Sequence, residues 1–214
     1  MRHLDRLPKP NKLIQKEEEW TNLFVESGKL RPDNNKYGHK DILADLNAIS
    51  FHKCFYSEQK LKGIPKEIDH HIEVTERKDL AYDWDNLYLS STICNNKLPN
   101  KTISVNDVLN PFTNSDEEIE EHLIFEDECI TAKNGSKLGF DTIKKYRLDS
   151  PLLDSIRSRA LHQFKDVLEI IRKNQIQDKG RDMNEIELEA LYRFAQPDHS
   201  FSLMFRLLLK KHNL

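Results

Sequence analysis

Two strand patterns and a short helix pattern follow one another between residues 64 and 97, and this order constrains the fold more than any other feature. Residues 64–74 alternate loosely between apolar and polar, which predicts a β-strand. Residues 87–91 predict a second strand, and residues 92 to about 97 predict a helix that Ser91 or Thr92 caps. Pro99 ends that helix. The sequence therefore predicts a small β-β-α unit.

The patterns on either side of this unit divide the chain into three zones. Residues 1–40 form a polar, proline-containing arm with one helix pattern at 13–24, which we interpret as a partner-docking arm or as a flexible leader. Residues 41–112 form the core zone and begin with a helix pattern at 41–49. Residues 113–214 are mainly helical after a β-like stretch near 123–130, with apolar stripes at 152–171, 185–194 and 200–211. The predicted fold class is α+β.

The charge of the chain limits which partners it can bind alone. Its formal net charge is -3, whereas proteins that bind nucleic acid unaided are usually basic. Much of the negative charge lies in residues 116–128, and basic residues outnumber acidic ones before residue 66 and after residue 131. A basic face is therefore compatible with the sequence. No apolar run is long enough for a membrane helix, and the charged N-terminus lacks a signal-peptide pattern, so we expect a cytoplasmic protein without membrane contact.

The residues that carry chemistry lie on the predicted β-β-α unit. The first strand contains Asp69 and His70 in adjacent positions, so one side chain can bind a metal while the other meets a water molecule. Asn86 precedes the second strand, where an Asn pins a loop through backbone hydrogen bonds. Asn95 on the short helix offers a neutral oxygen to a hard cation such as Mg²⁺. His71 and Lys97 are candidates for supporting roles; Lys97 could contact phosphate, although a solvated lysine is the favoured interpretation.

Two segments have the spacing of zinc knuckles, although each keeps a single cysteine. Cys54 and Ser57 stand at the first C-x-x-C spacing, and Ser91 and Cys94 stand at the second. A serine hydroxyl stays protonated at neutral pH and is a poor zinc ligand. We therefore expect no structural zinc, with cysteines packed as small hydrophobic residues, or alternatively a site completed by His52.

The order of these motifs resembles the HNH, or ββα-metal, endonucleases. It runs Cys54-Phe55-Tyr56, Asp69-His70, Trp84-Asp85-Asn86-Leu87 and Cys94-Asn95-Asn96-Lys97. The resemblance implies that Asp69 and Asn95 hold Mg²⁺ or Mn²⁺, that His70 is the general base, and that Asn86 aims His70 by holding its loop. The expected activity is hydrolysis of nucleic-acid phosphodiester bonds.

A longer resemblance, to the PtuB family of HNH subunits in Septu-type antiphage systems, covers nearly the whole chain. The segments on which this resemblance rests include Leu80-Ala81-Tyr82-Asp83-Trp84, Leu109-Asn110-Pro111 and Glu121-His122-Leu123-Ile124-Phe125. This family implies an ABC/SMC-like, PtuA-like ATPase partner and, in some systems, a retron reverse transcriptase with its RNA–DNA product. Either DNA or tRNA fits as substrate. The alternative is a degenerate HNH scaffold that only binds nucleic acid or a partner.

Overall fold

The computed structural model describes all 214 residues and confirms the α+β class. Nine helices accompany two separate two-stranded antiparallel sheets, β1–β2 and β3–β4. The helices are α1 (Asn11–Glu26), α2 (Asn34–Tyr37), α3 (Lys40–Ile49), α4 (Thr92–Asn95), α5 (Asp116–His122), α6 (Lys137–Lys145), α7 (Pro151–Gln177), α8 (Glu185–Tyr192) and α9 (Ser202–Lys211). The strands are β1 (Lys66–His70), β2 (Leu87–Ser91), β3 (Leu123–Glu126) and β4 (Cys129–Ala132).

The first ten residues run in an extended conformation across the β1–β2 unit. The backbone nitrogen of Leu4 donates to the Pro111 carbonyl at 2.7 Å, and the indole nitrogen of Trp84 donates to the Leu7 carbonyl at 2.8 Å. The guanidinium of Arg6 lies 3.6 Å from the centre of the Phe112 ring. These contacts hold the segment in an ordered position, and α1 follows it where the sequence predicted a helix.

The predicted β-β-α order is present around residue 69. Strands β1 and β2 pair antiparallel with Asp69 opposite Tyr88, and the Ser91 hydroxyl caps α4 by accepting from the Cys94 backbone nitrogen. Helix α4 is one turn long and ends at Asn95, shorter than expected. The reason is a tertiary contact, because Leu98 donates its backbone hydrogen bond to the Lys145 carbonyl of α6 instead of continuing the helix.

One hydrophobic core joins residues from all three zones of the chain. It extends from Met1 and Leu13 through the β1–β2 unit to Tyr146 of the α6 end and Leu203 of α9. A smaller cluster lies between α7, α8 and α9. The end of α6 is important for the site, because the Lys145 carbonyl accepts from the Leu98 backbone nitrogen and the Tyr146 ring stacks on Tyr56. No helix is both long enough and apolar enough to cross a membrane.

Candidate functional site

An open cleft with a volume of about 960 Å³ lies along β1. Its lining includes Asp69, His70, Asn95 and Lys97, which the sequence analysis singled out separately. The structure therefore brings these four residues to one surface. Asn86 and His71 are buried and do not line the cleft.

Asp69 is held in place by two hydrogen-bond donors. Its Oδ2 accepts from the Tyr56 hydroxyl and from the Lys97 ammonium, both at 2.7 Å. Burial, followed by the charge of Asp69, raises the pKa of Tyr56 well above its usual value, so this hydroxyl keeps the proton that it donates. The second carboxylate oxygen, Oδ1, has no hydrogen-bond partner within the chain and is free for a ligand.

His70 is fixed in one tautomer by a backbone carbonyl. Its Nε2 lies 2.9 Å from the Ala81 carbonyl oxygen, which can only accept, so Nε2 carries the proton. Nδ1 consequently keeps its lone pair. The Tyr37 ring meets the imidazole edge to face at 4.9 Å between ring centres. Burial lowers the pKa of His70 below the usual histidine value, which keeps the ring neutral at neutral pH.

Asn86 connects the two ends of the loop between β1 and β2. Its side-chain oxygen accepts from the Ile72 backbone nitrogen at 2.7 Å. Its side-chain nitrogen donates to the carbonyls of Ile72 and Leu80, each at 3.0 Å. Leu80 directly precedes Ala81, whose carbonyl holds His70. The side chain of Asn86 therefore holds the residue next to the carbonyl that contacts His70, without contact between Asn86 and His70.

Asn95 reaches the cleft from α4 and is oriented by a residue that the sequence analysis missed. The Asn95 amide nitrogen donates to the Glu67 carboxylate, which leaves the amide oxygen without a partner in the chain. Glu67 stands two residues before Asp69, on the same face of β1. Strand alternation is the signal that could have identified it.

The side chains of Lys97 and His71 are both buried rather than exposed to solvent. The Lys97 side chain is only 3% exposed, and its ammonium donates to Asp69 and to the carbonyls of His70 and His71. The interpretation of Lys97 as a solvated lysine is therefore wrong, because these three oxygens replace its water. His71 stacks on Tyr88 at 4.4 Å between ring centres, and its Nδ1 lies 3.5 Å from the Tyr56 hydroxyl.

The C-terminal region also contributes to this site, which the sequence analysis did not predict. The Tyr146 ring stacks on Tyr56 at 4.0 Å between ring centres. The neighbouring Lys145 is fully buried, and its ammonium meets the Glu73 carboxylate at 3.4 Å. The residues of α6 thus support the back of the cleft, and no local sequence signal connects them with β1.

The four positions of the incomplete zinc knuckles converge behind the cleft, and all four are buried. The Cys54 sulfur accepts from the Ser57 backbone nitrogen at 3.5 Å, and the Ser91 hydroxyl accepts from the Cys94 backbone nitrogen at 3.3 Å. Burial raises the pKa of the Cys54 thiol, but the hydrogen bonds from Cys94, Ser57 and Ser91 outweigh it and lower this pKa to about 5. His52 is not grouped with the two cysteines, because no three His, Cys, Asp or Glu side chains lie around a common metal position; the Nδ1 of His52 is bonded to the Asn47 side chain.

The oxygen donors in the cleft fit a hard cation better than zinc. Asp69 Oδ1 and the Asn95 amide oxygen are available, and Mg²⁺ binds in proteins through one or two such oxygens while it keeps several waters. Such a site does not need the three-residue cluster that is absent from the chain. Asp69 and Asn95 are therefore the residues that could hold a divalent ion.

Comparisons with known proteins point in the same direction as the motifs. No family model matches the chain. The chain is 28% identical over 152 residues to the Septu protein PtuB of Bacillus thuringiensis. The alignment covers 70% of this chain and 56% of that protein, so the chain spans little more than half the length of this relative. The predicted similarity to PtuB is confirmed.

Proposed function

We propose that the chain is a divalent-metal-dependent endonuclease of the HNH class, which hydrolyses phosphodiester bonds in nucleic acid. One observation carries the proposal. Asp69, His70 and Asn95 line the same cleft, and the Ala81 carbonyl holds His70 so that Nδ1 is unprotonated. This is the arrangement that a general base beside a metal site requires.

His70 would act as the general base. Its Nδ1 lone pair takes a proton from a water molecule, which then attacks the phosphorus. The Nε2–H bond to Ala81 keeps the ring orientation during this step and stabilises the positive charge that develops on the imidazole. Because burial lowers its pKa, His70 is ready to accept a proton at neutral pH.

Asp69 and Asn95 would hold Mg²⁺ or Mn²⁺. A bound divalent ion supplies charge that stabilises the scissile phosphate and the leaving oxygen. The residues around these two ligands fix their oxygens. Tyr56 and Lys97 orient the Asp69 carboxylate, and Glu67 orients the Asn95 amide so that its oxygen faces away from the carboxylate.

We further propose that this activity serves Septu-type antiphage defence together with a PtuA-like ATPase. The similarity to the Septu protein PtuB supports this assignment. The net charge of -3 gives a physical reason for a partner, because an acidic chain binds phosphate backbones weakly. DNA and tRNA are the substrates to compare, and a retron reverse transcriptase is a further partner to test.

Cleavage assays on plasmid DNA and total tRNA with Mg²⁺ or Mn²⁺ test the nuclease proposal. The proteins are the wild type, His70→Ala and the control His162→Ala, each with and without the ATPase. His162 is exposed on α7 and lies outside the cleft. We expect cleavage by the wild type and by the control, and none by His70→Ala. Equal cleavage by all three proteins would refute the role of His70.

A second function, binding without catalysis, is favoured by the contacts of Lys97. Its ammonium already neutralises the Asp69 carboxylate at 2.7 Å, so Asp69 does not need a metal for charge balance. Calorimetric titration with Mn²⁺ separates the two functions. Binding that is lost in Asp69→Asn supports the nuclease, whereas no binding by the wild type and no cleavage would support the degenerate scaffold.

A further inference from the structure

A compact group of aromatic side chains lies beside the cleft, between α1 and the loop that carries Ala81. Trp20 and Phe24 of α1 both meet the Tyr82 ring edge to face, at 5.7 and 6.3 Å between ring centres. All three side chains are buried in the hydrophobic core. This group gives the surface above it a rigid base.

Three lysines cover this aromatic group, and together they form what we call the lysine patch: Lys12, Lys36 and Lys78. The ammoniums of Lys12 and Lys36 lie 5.8 and 5.7 Å from the Trp20 ring, and that of Lys78 lies 5.7 Å from the Phe24 ring. These cation–π contacts hold the charges close together on the surface.

The lysine patch has no carboxylate partners, although carboxylates are close by. None of its three ammoniums forms a salt bridge, whereas many other basic side chains of the protein do. Glu19 pairs with Lys16 at 2.7 Å, and Asp79 pairs with Arg77 at 2.5 Å. The positive charge of the patch therefore remains available for an anion from outside the chain.

Two lysines of the patch are close in the chain to residues that contact His70. Lys36 is followed in α2 by Tyr37, which lines the cleft and contacts His70. Lys78 stands three residues before Ala81, whose carbonyl holds His70. Arg31 also lines the cleft, is exposed and forms no salt bridge. The patch and Arg31 thus supply four cations that form no salt bridge and that stand close in the chain to residues of the candidate active site.

We infer that the lysine patch and Arg31 bind the phosphodiester backbone of the nucleic-acid strand that enters the cleft. This inference rests on the proposed nuclease function. Lysine ammoniums bind phosphates as point charges, and the aromatic rings under the patch are buried and cannot stack on bases. The patch consequently holds the strand through its phosphates, independently of sequence.

Binding measured over a series of salt concentrations tests this inference, because each lost phosphate contact reduces the salt dependence by a known amount. The His70→Ala protein serves as parent, so that the probe is not cleaved. The probes are a fluorescent DNA duplex and fluorescent single strands of DNA and RNA. Replacing Lys12, Lys36 and Lys78 together by Gln should reduce the slope of log K against log salt by about 2.7 on duplex and about 2.1 on single strands.

Two matched variants of the same parent make the result specific. Lys165, Lys173 and Lys179 are exposed, lie in or just after α7 and form no salt bridges, so their joint replacement by Gln changes the net charge equally. We expect this control to keep the parent slope. Replacing the three patch lysines by Arg retains the charge and should also keep the slope, which excludes misfolding as the cause.

The outcomes separate this inference from the proposed function. Equal slopes for the Gln variants of the patch and of α7 would overturn the inference, even if the wild type cleaves nucleic acid and His70→Ala does not. Loss of ATPase binding in the patch variant, with the nucleic-acid slope unchanged, would also overturn it and identify a protein interface. The probe with the largest slope change identifies the strand that the patch binds.

Discussion

Replacement of Asn86 by Ala tests the role of this side chain as the connection between the loop and His70. The change removes three hydrogen bonds, two to Ile72 and one to the Leu80 carbonyl, from a residue that is 4% exposed. Each such bond contributes about 1 kcal/mol net, and water reaches part of the freed backbone, so the loss is about 2–3 kcal/mol. For a chain of this length the unfolding temperature should fall by about 4–12 °C.

Thermal unfolding followed by circular dichroism measures this loss, and Asn106→Ala is the matched control. Asn106 is exposed and its side chain makes no hydrogen bond within the chain, so its replacement should shift the unfolding temperature by less than about 1 °C. A shift equally small for Asn86→Ala would refute the reasoning, because the loop would then hold its shape without these bonds.

Cleavage by Asn86→Ala should be measured well below its unfolding temperature, where the folded state dominates. We expect strongly reduced cleavage, since the Ala81 carbonyl that fixes His70 lies next to Leu80 in the released loop. Wild-type cleavage in a clearly destabilised variant would show that Asn86 stabilises the loop without positioning His70.

Two other side-chain groups give independent predictions. Burial lowers the pKa of His71 to about 3, so between about pH 6.5 and pH 3 only the unfolded chain gains this proton, and the folded state loses about 1.4 kcal/mol of stability per pH unit. The variant His71→Phe can keep the stack on Tyr88 but binds no proton, so its free energy of unfolding should fall less with decreasing pH than that of the wild type. Urea unfolding in EDTA over this pH range measures the difference. Equal pH dependence of the free energy of unfolding in the two proteins would contradict the prediction. Ser57→Cys combined with Ser91→Cys should create a four-cysteine site that binds one zinc ion per chain, as metal analysis after dialysis would detect, because the four side chains already converge. Ser57→Cys alone is the control and should retain no zinc. If the double variant also retains none, the four side chains do not have tetrahedral geometry.

Local sequence patterns were sufficient to predict the elements that carry the site. The strand at residues 87–91 was predicted with the bounds that the structure shows, because its apolar run is short and Ser91 is a strong helix cap for the next segment. The spacing of Asp69, His70, Asn86 and Asn95 also predicted these four side chains as one candidate site, and their roles stay predictions. Three of these line one cleft, and the fourth holds its loop.

The supporting contacts could not be predicted in the same way, because they join segments far apart in the chain. Lys97 could be solvated or buried on sequence grounds, and its buried position is favourable because the Asp69 carboxylate and the carbonyls of His70 and His71 all accept from its ammonium. The stacking of Tyr146 on Tyr56 depends on how α6 packs behind β1. The length of α4 depends equally on a backbone hydrogen bond to Lys145.

The sequence by itself determined the α+β class, the β-β-α order and the identity of the candidate site residues. Periodicity, capping residues and motif spacing act over a few residues, and they are therefore readable from the chain alone. The tertiary structure decided the tautomer of His70, the orientation of Asn95 by Glu67 and the free charge of the lysine patch. These properties depend on which oxygen, ring or carboxylate lies within a few ångströms, and only the packing of distant segments sets those distances.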